Sequence, residues 1–197
     1  VATPTQLPVR ALEAFAADAL ARFEQALGLP PVPTLDDRVE RFRAEAHRLD
    51  DGLALAAGLT GSERQQLDAL ARVHDGPQGY YLNFYGPPGS LLSASAADLL
   101  LPERHRVLDL RLADLSGKVV FVGYAELHVP QASDSFPTPF SRNGIDLSGV
   151  EIAATGFANL LHDHTVRALP EWARAALVGL LGFGMVVASC TGRVWRG

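Results

Sequence analysis

The chain has 197 residues, 48% of them apolar, enough to bury a full core in one domain or slightly more. Its formal net charge is −5, and its 17 Lys and Arg residues are scattered without a basic run, which excludes a nucleic-acid footprint because a phosphate-binding surface needs clustered cations. The single cysteine, Cys190, excludes an intrachain disulfide and any cysteine-built metal site.

The first half reads as helices. Pro8 suits a first helical turn, and Leu12, Phe15, Ala16, Ala19, Leu20, Phe23 and Leu27 share one face until Gly28 stops it. Leu29–Thr34 is a Pro-rich turn. A more polar helix is expected from about Leu35 to Ala57, with Val39, Phe42, Leu49 and Leu53 inward. Ser62 with Gln65 reads as the capping box of a third, carrying Leu67, Leu70 and Val73 as far as Asp75-Gly76. These helices carry no motif that implies chemistry. No internal repeat, low-complexity tract or signal peptide is visible, and the chain opens on Val1 as a fragment of a longer protein would.

The second half is richer in local signals. Tyr80 to Tyr85 alternates as a strand, and Gly86-Pro87-Pro88-Gly89 makes a tight turn, because proline presets φ and glycine accepts positive φ. Ser95 and Asp98 cap a short helix ending near Leu101-Pro102. Val119-Val120-Phe121-Val122, closed by Gly123, reads as a strand buried on both faces, as in a parallel sheet. After an acidic, Pro-bearing loop, Ser148 and Glu151 form a capping box, and Val150, Ala153, Ala154, Phe157, Leu160 and Leu161 fall on one face of the helix behind it. Finally, Ala175–Gly192 carries no charge. As a helix this run is about 27 Å long, enough to cross a bilayer core, and Trp172 and Trp195 flank it as interfacial aromatics do. A buried core helix is the alternative, disfavoured by Gly179, Gly182 and Gly184.

Catalytic constellations do not assemble. The Gly86–Gly89 turn lacks the Lys-Ser/Thr of a phosphate loop, and its prolines remove N–H donors. Gly179–Gly184 lies inside the apolar run with no strand before it, unlike a dinucleotide loop. His162-Asp163-His164 falls at a helix end, where imidazoles more often meet the C-terminal dipole than a metal, and no Gly-x-Ser-x-Gly elbow occurs. No catalytic residue, metal or cofactor is expected. If the Asn83 turn and the loop after Gly123 share one edge of a doubly wound sheet, Asn83, Tyr85, Glu126, Asp134 and Thr138 converge as a ligand site. In the competing reading Glu151 is a cap, Asp134 and Thr138 brace their own loop and Asn83 pairs with backbone.

Four ordered elements carry a family resemblance: Asn83, Gly86, Pro87, Pro88 and Gly89; Gly117, Lys118 and Gly123; Asp134, Phe136, Thr138 and Pro139; and Gly149, Val150, Glu151 and Asn159. Together they resemble the CHASE type-two domain, the extracytoplasmic sensory module of membrane-bound cyclases, histidine kinases and serine/threonine kinases. The family's upstream strands, with an Asp-Glu and a Trp-Pro element, have no counterpart here, so the chain resembles the C-terminal part of such a domain. The resemblance implies an α/β sensory domain, with a small mostly parallel sheet flanked by helices, over residues 1–170. Residues 171–197 then form a transmembrane helix and the start of a cytoplasmic segment. It also implies a bacterial inner-membrane receptor whose main domain faces the periplasm or cell exterior, with an adenylate/guanylate cyclase or kinase beyond Gly197 and no enzymatic activity in the chain itself. Its partners are a small-molecule or protein signal, the membrane and, in a dimeric receptor, a second copy. A membrane-anchored protein-interaction scaffold is the alternative.

Overall fold

A computed structural model describes residues 7–75, 81–96, 115–124, 134–141, 145–166 and 169–194. The described chain is mostly helical. Helices α1 (Leu7–Phe15) and α2 (Ala17–Ala26) form the amphipathic segment expected at the start, broken only at Ala16, whose φ of −88° and ψ of 6° depart from the helix. The single helix expected over residues 35–57 is instead divided. Helix α3 (Leu35–Glu45) ends in a 3-10 turn at Ala46–Arg48, and α4 (Asp51–Ala56) starts afresh. The cause is Asp50: its carboxylate accepts from the Leu53 N–H at 2.6 Å, while Leu49 adopts an extended conformation. A side chain that caps this well competes with continuation of the helix before it.

Helix α5 (Gly61–Asp75) is capped two residues earlier than Ser62 and Gln65 suggest. Thr60 Oγ1 accepts from the Glu63 N–H at 3.3 Å, and the Glu63 carboxylate accepts from the Thr60 N–H at 2.8 Å, the two reciprocal bonds of a capping box.

The apolar faces of these helices close on one core. Leu12, Ala16, Ala19, Leu20, Phe23, Val39, Phe42, Leu67 and Leu70 are buried, and Phe23 meets Phe42 edge-on with centroids 5.2 Å apart. Two carboxylates lie at the core margin. Glu13 pairs with Arg10 at 2.9 Å, and Glu24 lies 3.7 Å from Arg38 and 3.6 Å from Arg41.

The sheet departs from expectation. Strands β1 (Ser135–Phe136) and β2 (Leu147–Ser148) pair antiparallel, with Ser135 opposite Ser148 and Phe136 opposite Leu147, and no parallel pair occurs among the described residues. The two strands are only ten residues apart, too short a connection for the crossover that a parallel pair needs. Val119–Val122, expected as a strand buried on both faces, belongs to no sheet. It lies across helix α6 (Gly149–His162), with Phe121 tilted against Phe157 at 5.8 Å and Gly123 pressed on Val150. The short helix expected after Ser95 falls mostly outside the described residues.

Residues 1–165 and 166–197 form two compact units. The second contains α7 (Glu171–Val194), whose Glu171–Ser189 stretch is long and apolar enough to cross a membrane and has none of its apolar window buried.

Candidate functional site

Helix α6 organises the motif-bearing half of the chain. It begins where Ser148 accepts from the Glu151 N–H through its hydroxyl at 3.4 Å, with Ser148 itself extended. In a capping box the Glu151 carboxylate returns to the cap; here it reaches out instead and accepts from the Gly89 N–H at 2.9 Å. One turn on, the Thr155 hydroxyl donates to the Glu151 carbonyl at 2.8 Å. A further turn on, Asn159 meets the chain at Asn83 twice: its Oδ1 accepts from the Asn83 N–H at 2.7 Å, and its Nδ2 donates to the Asn83 carbonyl at 3.1 Å.

Glu151, Thr155 and Asn159 are therefore one stripe at spacing four, all buried, with Asn159 fully so. The apolar residues expected to form the buried face of this helix are only half-buried. Phe157 still joins α6 to the helical core, edge-on to Phe15 at 5.8 Å. Polar groups this deep are tolerated because each is hydrogen-bonded. Two of the three hold the Asn83–Gly89 segment, whose turn closes through the Ser90 N–H to the Pro87 carbonyl at 3.1 Å. Gly89 sits at φ +84°, a left-handed conformation that glycine accepts without strain.

The other end of α6 is clamped by α5. Arg72 donates to the Leu160 carbonyl at 3.4 Å and Gln65 to the Leu161 carbonyl at 3.2 Å, while Asp163 adopts the left-handed cap conformation at φ 54°. The two imidazoles lie here, 5.7 Å apart, His162 Nδ1 against Gln65 at 3.0 Å and His164 Nδ1 against the Tyr85 hydroxyl at 3.3 Å. Among the described residues no group of three His, Cys, Asp or Glu side chains has the geometry of a metal site.

Of the residues proposed from sequence as a ligand site, Asn83 and Tyr85 lie at the opposite end of this helix from Asp134. Asn83 is held at Asn159 and Tyr85 at His164, near the C-terminal end. Asp134 lies at the first turn, where its carbonyl accepts from the Gly149 N–H at 3.2 Å and its carboxylate crowds the Gly149 Cα. Gly149 and Asn159 are ten residues apart, about 15 Å along the axis. Thr138 is tied into its own loop: its N–H donates to the Ser141 hydroxyl at 2.8 Å, its carbonyl accepts from the Ser141 N–H at 2.9 Å and its hydroxyl accepts from the Phe140 N–H at 3.3 Å. Glu126 lies outside the described residues.

Sequence reasoning did not single out Thr155, or the cleft beside α6. That cleft, of about 1250 Å³, opens between the first turns of α1, the Val119–Gly123 run and α6. Its walls are apolar (Leu7, Val9, Val119, Phe121, Val150 and Ile152 among them), and among the described residues Asp134 is the one charged residue lining it. The only advance signal was the period of four among the polar residues of α6, running alongside its apolar face.

The signature turn of this helical domain is bound to a helix, and an exposed apolar helix follows the domain. The chain belongs to the CHASE2 domain family, whose model matches residues 5–189. CHASE2 domains are extracytoplasmic sensory domains, so a signal-sensing role fits this chain. No curated protein and no solved structure matches it.

Proposed function

We propose that this chain is the extracytoplasmic signal-sensing part of a bacterial inner-membrane receptor, with residues 1–170 as the sensor and 171–197 as the span and the start of a cytoplasmic segment. The output module is a nucleotide cyclase or a kinase. One observation carries the reading: the family match continues through the domain into the apolar helix and ends at 189, the last residue of its membrane-length stretch. A sensory domain continuous with an uncovered apolar helix suits a receptor better than a free enzyme.

Sensing in such a receptor is a population shift. The signal binds one packing of the domain better than another, and the preferred packing is passed to the juxtamembrane helix. The signal-contacting residues in this reading are Asn83, Tyr85, Glu126, Asp134 and Thr138, of which Asp134 lies at the first turn of α6 and Asn83 and Tyr85 toward its other end. A signal that contacts both Asp134 and Asn83 must be extended, because about 15 Å of helix separates their anchor points.

Topology is tested in the full-length receptor with Cys190→Ser as background. A membrane-impermeant thiol reagent applied to intact cells should label Leu92→Cys, at a site 69% exposed, and spare Trp195→Cys until the cells are permeabilised. Labelling of both sites, or of Trp195→Cys alone, rejects the proposed orientation. Sensing is tested by Asp134→Ala, which should abolish output and leave the melting temperature unchanged; a variant that melts early with normal output per folded molecule makes Asp134 loop architecture.

A further inference from the structure

At the end of α6 two imidazoles meet side-chain partners of different kinds. Gln65 Nε2 lies 3.2 Å from the Leu161 carbonyl and 3.0 Å from His162 Nδ1. A carbonyl can only accept, so Gln65 must turn its amino group to Leu161, and the same amino group then meets His162. His162 Nδ1 is therefore the acceptor, and the ring is neutral with its proton on Nε2. A charged imidazole is a donor at both nitrogens and sets N–H against N–H. Turning the Gln65 amide over mends that contact but places its oxygen against the Leu161 carbonyl, so one bond is lost either way. His164 is under no such constraint. Its Nδ1 lies 3.3 Å from the Tyr85 hydroxyl, which donates to a neutral ring and accepts from a charged one.

The surroundings offer a charged His162 another place. Among the described residues, α5 presents Gln65 and Arg72, while its Arg64 and Asp68 pair with each other at 3.1 Å; the signature turn presents Tyr85; and α6 itself presents Asp163, 3.6 Å from Arg72. Released from Gln65, a charged ring turns to Asp163 and to the carbonyls of the last turn, where the helix dipole favours a cation, and away from Arg72 and His164. His162 and His164 are both exposed, so protons of the medium reach them, and Thr165 is the last residue of the first compact unit. A change in the hold on this end of α6 therefore falls where the chain leaves the domain. We propose that His162 and Gln65 form a proton-operated clamp on the C-terminal end of α6, closed when His162 is neutral and opened when it takes up a proton, so that acidity is a signal this domain reads. The clamp stands on the geometry alone; its use as a signal rests on the receptor reading. The closed form excludes the proton that the open form accepts, so falling pH favours the open form.

The test measures hydrogen exchange in the 197-residue chain in lipid nanodiscs at about pH 8 and about pH 5.5, between which imidazoles change charge and ordinary carboxylates do not. The reporters are the backbone amides of Asp163 and His164, both bonded to the Asn159 carbonyl. They are read as protection factors, so that the intrinsic effect of pH on exchange divides out. Protection should fall about three- to tenfold at the lower pH, tenfold being the limit for complete exclusion of one proton. His162→Asn keeps an acceptor near the place of Nδ1 and takes up no proton, so its protection should be the same at both pH values. Gln65→Leu should show the lowered protection at both, and His164→Asn should keep the fall. Unchanged protection in the wild-type chain overturns the proposal. So does a fall that persists in His162→Asn or vanishes in His164→Asn, and so does a Gln65→Leu chain as protected as wild type at about pH 8. None of these readouts depends on topology or output, so failure here leaves the receptor reading standing. Rejection of that reading by thiol labelling leaves the clamp standing as a property of the fold.

Discussion

The helices up to Asp75 and the segments from Tyr81 to Val166 are held together by different means. In the first region burial is apolar: Leu12, Leu20, Phe23, Phe42, Leu67 and Leu70 are each no more than 1% exposed. In the second, the most buried side chains among the described residues are Asn159, Thr155, Ser148 and Glu151 together with Leu147, and hydrogen bonds hold the signature turn in place. Apolar burial is non-directional and tolerates substitutions of similar volume, whereas a hydrogen-bonded stripe fixes orientation and tolerates few. The region without motifs thus supplies the scaffold. The region with motifs is the one in which single atoms decide geometry.

That contrast can be tested by substitution. Phe23→Ala should have the largest effect, about 3 to 5 kcal/mol, because it empties the centre of the helical core and removes the partner of Phe42. Chemical denaturation measures it, and a loss under 1 kcal/mol would mean that the first region is not the scaffold. Asn159→Ala should follow at about 2 to 3 kcal/mol, since it leaves both backbone groups of Asn83 without their partner. Asn159→Asp should recover only part, keeping the acceptor and losing the donor. If Asn159→Ala instead melts like wild type, the polar stripe is incidental.

Gly89→Val should cost about 1 kcal/mol or more, because a β-branched residue is strained at φ +84°. An unchanged melting temperature would show that the turn relaxes freely and that Glu151 does not fix it. The smallest effect belongs to the first region. Thr60→Ala should lose about 1 kcal/mol by uncapping α5. The same cap gives a pH signature. The Thr60 N–H, with further help from its hydroxyl and Arg22, holds the Glu63 carboxyl below its ordinary range. A carboxyl depressed in the folded state stabilises fully above its unfolded pKa and loses that contribution as the pH falls through the folded one. Acid melts of Glu63→Gln should therefore decline less steeply below pH 4.5 than those of wild type; parallel curves would remove this group from the acid response.

Much of the helical scaffold was legible in the sequence, because apolar periodicity and burial follow from one cause. The faces of α1, α2, α3 and α5 were readable residue by residue. Their ends were less so: Thr60-x-x-Glu63 and Ser62-x-x-Gln65 fit the same capping pattern, and only three-dimensional context selects the first. The break before Asp50 was not read from the sequence, because it depends on Leu49 leaving helical geometry as Asp50 caps the next helix. The sheet was misread because Val119–Val122 has strand composition, and composition does not reveal whether a neighbour pairs with it. In the candidate site, the sequence marked Asn83 and Asp134 but not their separation along α6, since spacing along the chain carries no information on which elements meet. Asn159 was marked by the family pattern alone, and its physical role emerges only from its two bonds to Asn83.

Those two bonds have an evolutionary consequence. The Asn159 carboxamide does what a neighbouring peptide group does in a ladder, offering one acceptor and one donor at a fixed spacing to a single residue of the facing chain. A glutamine places the same group one methylene too far, aspartate and leucine keep the size but lose one or both halves of the match, and serine falls short. Position 159 should therefore tolerate almost no replacement as the family diverges, while position 83, which contributes only its main chain to the pair, is free to vary as far as this contact is concerned.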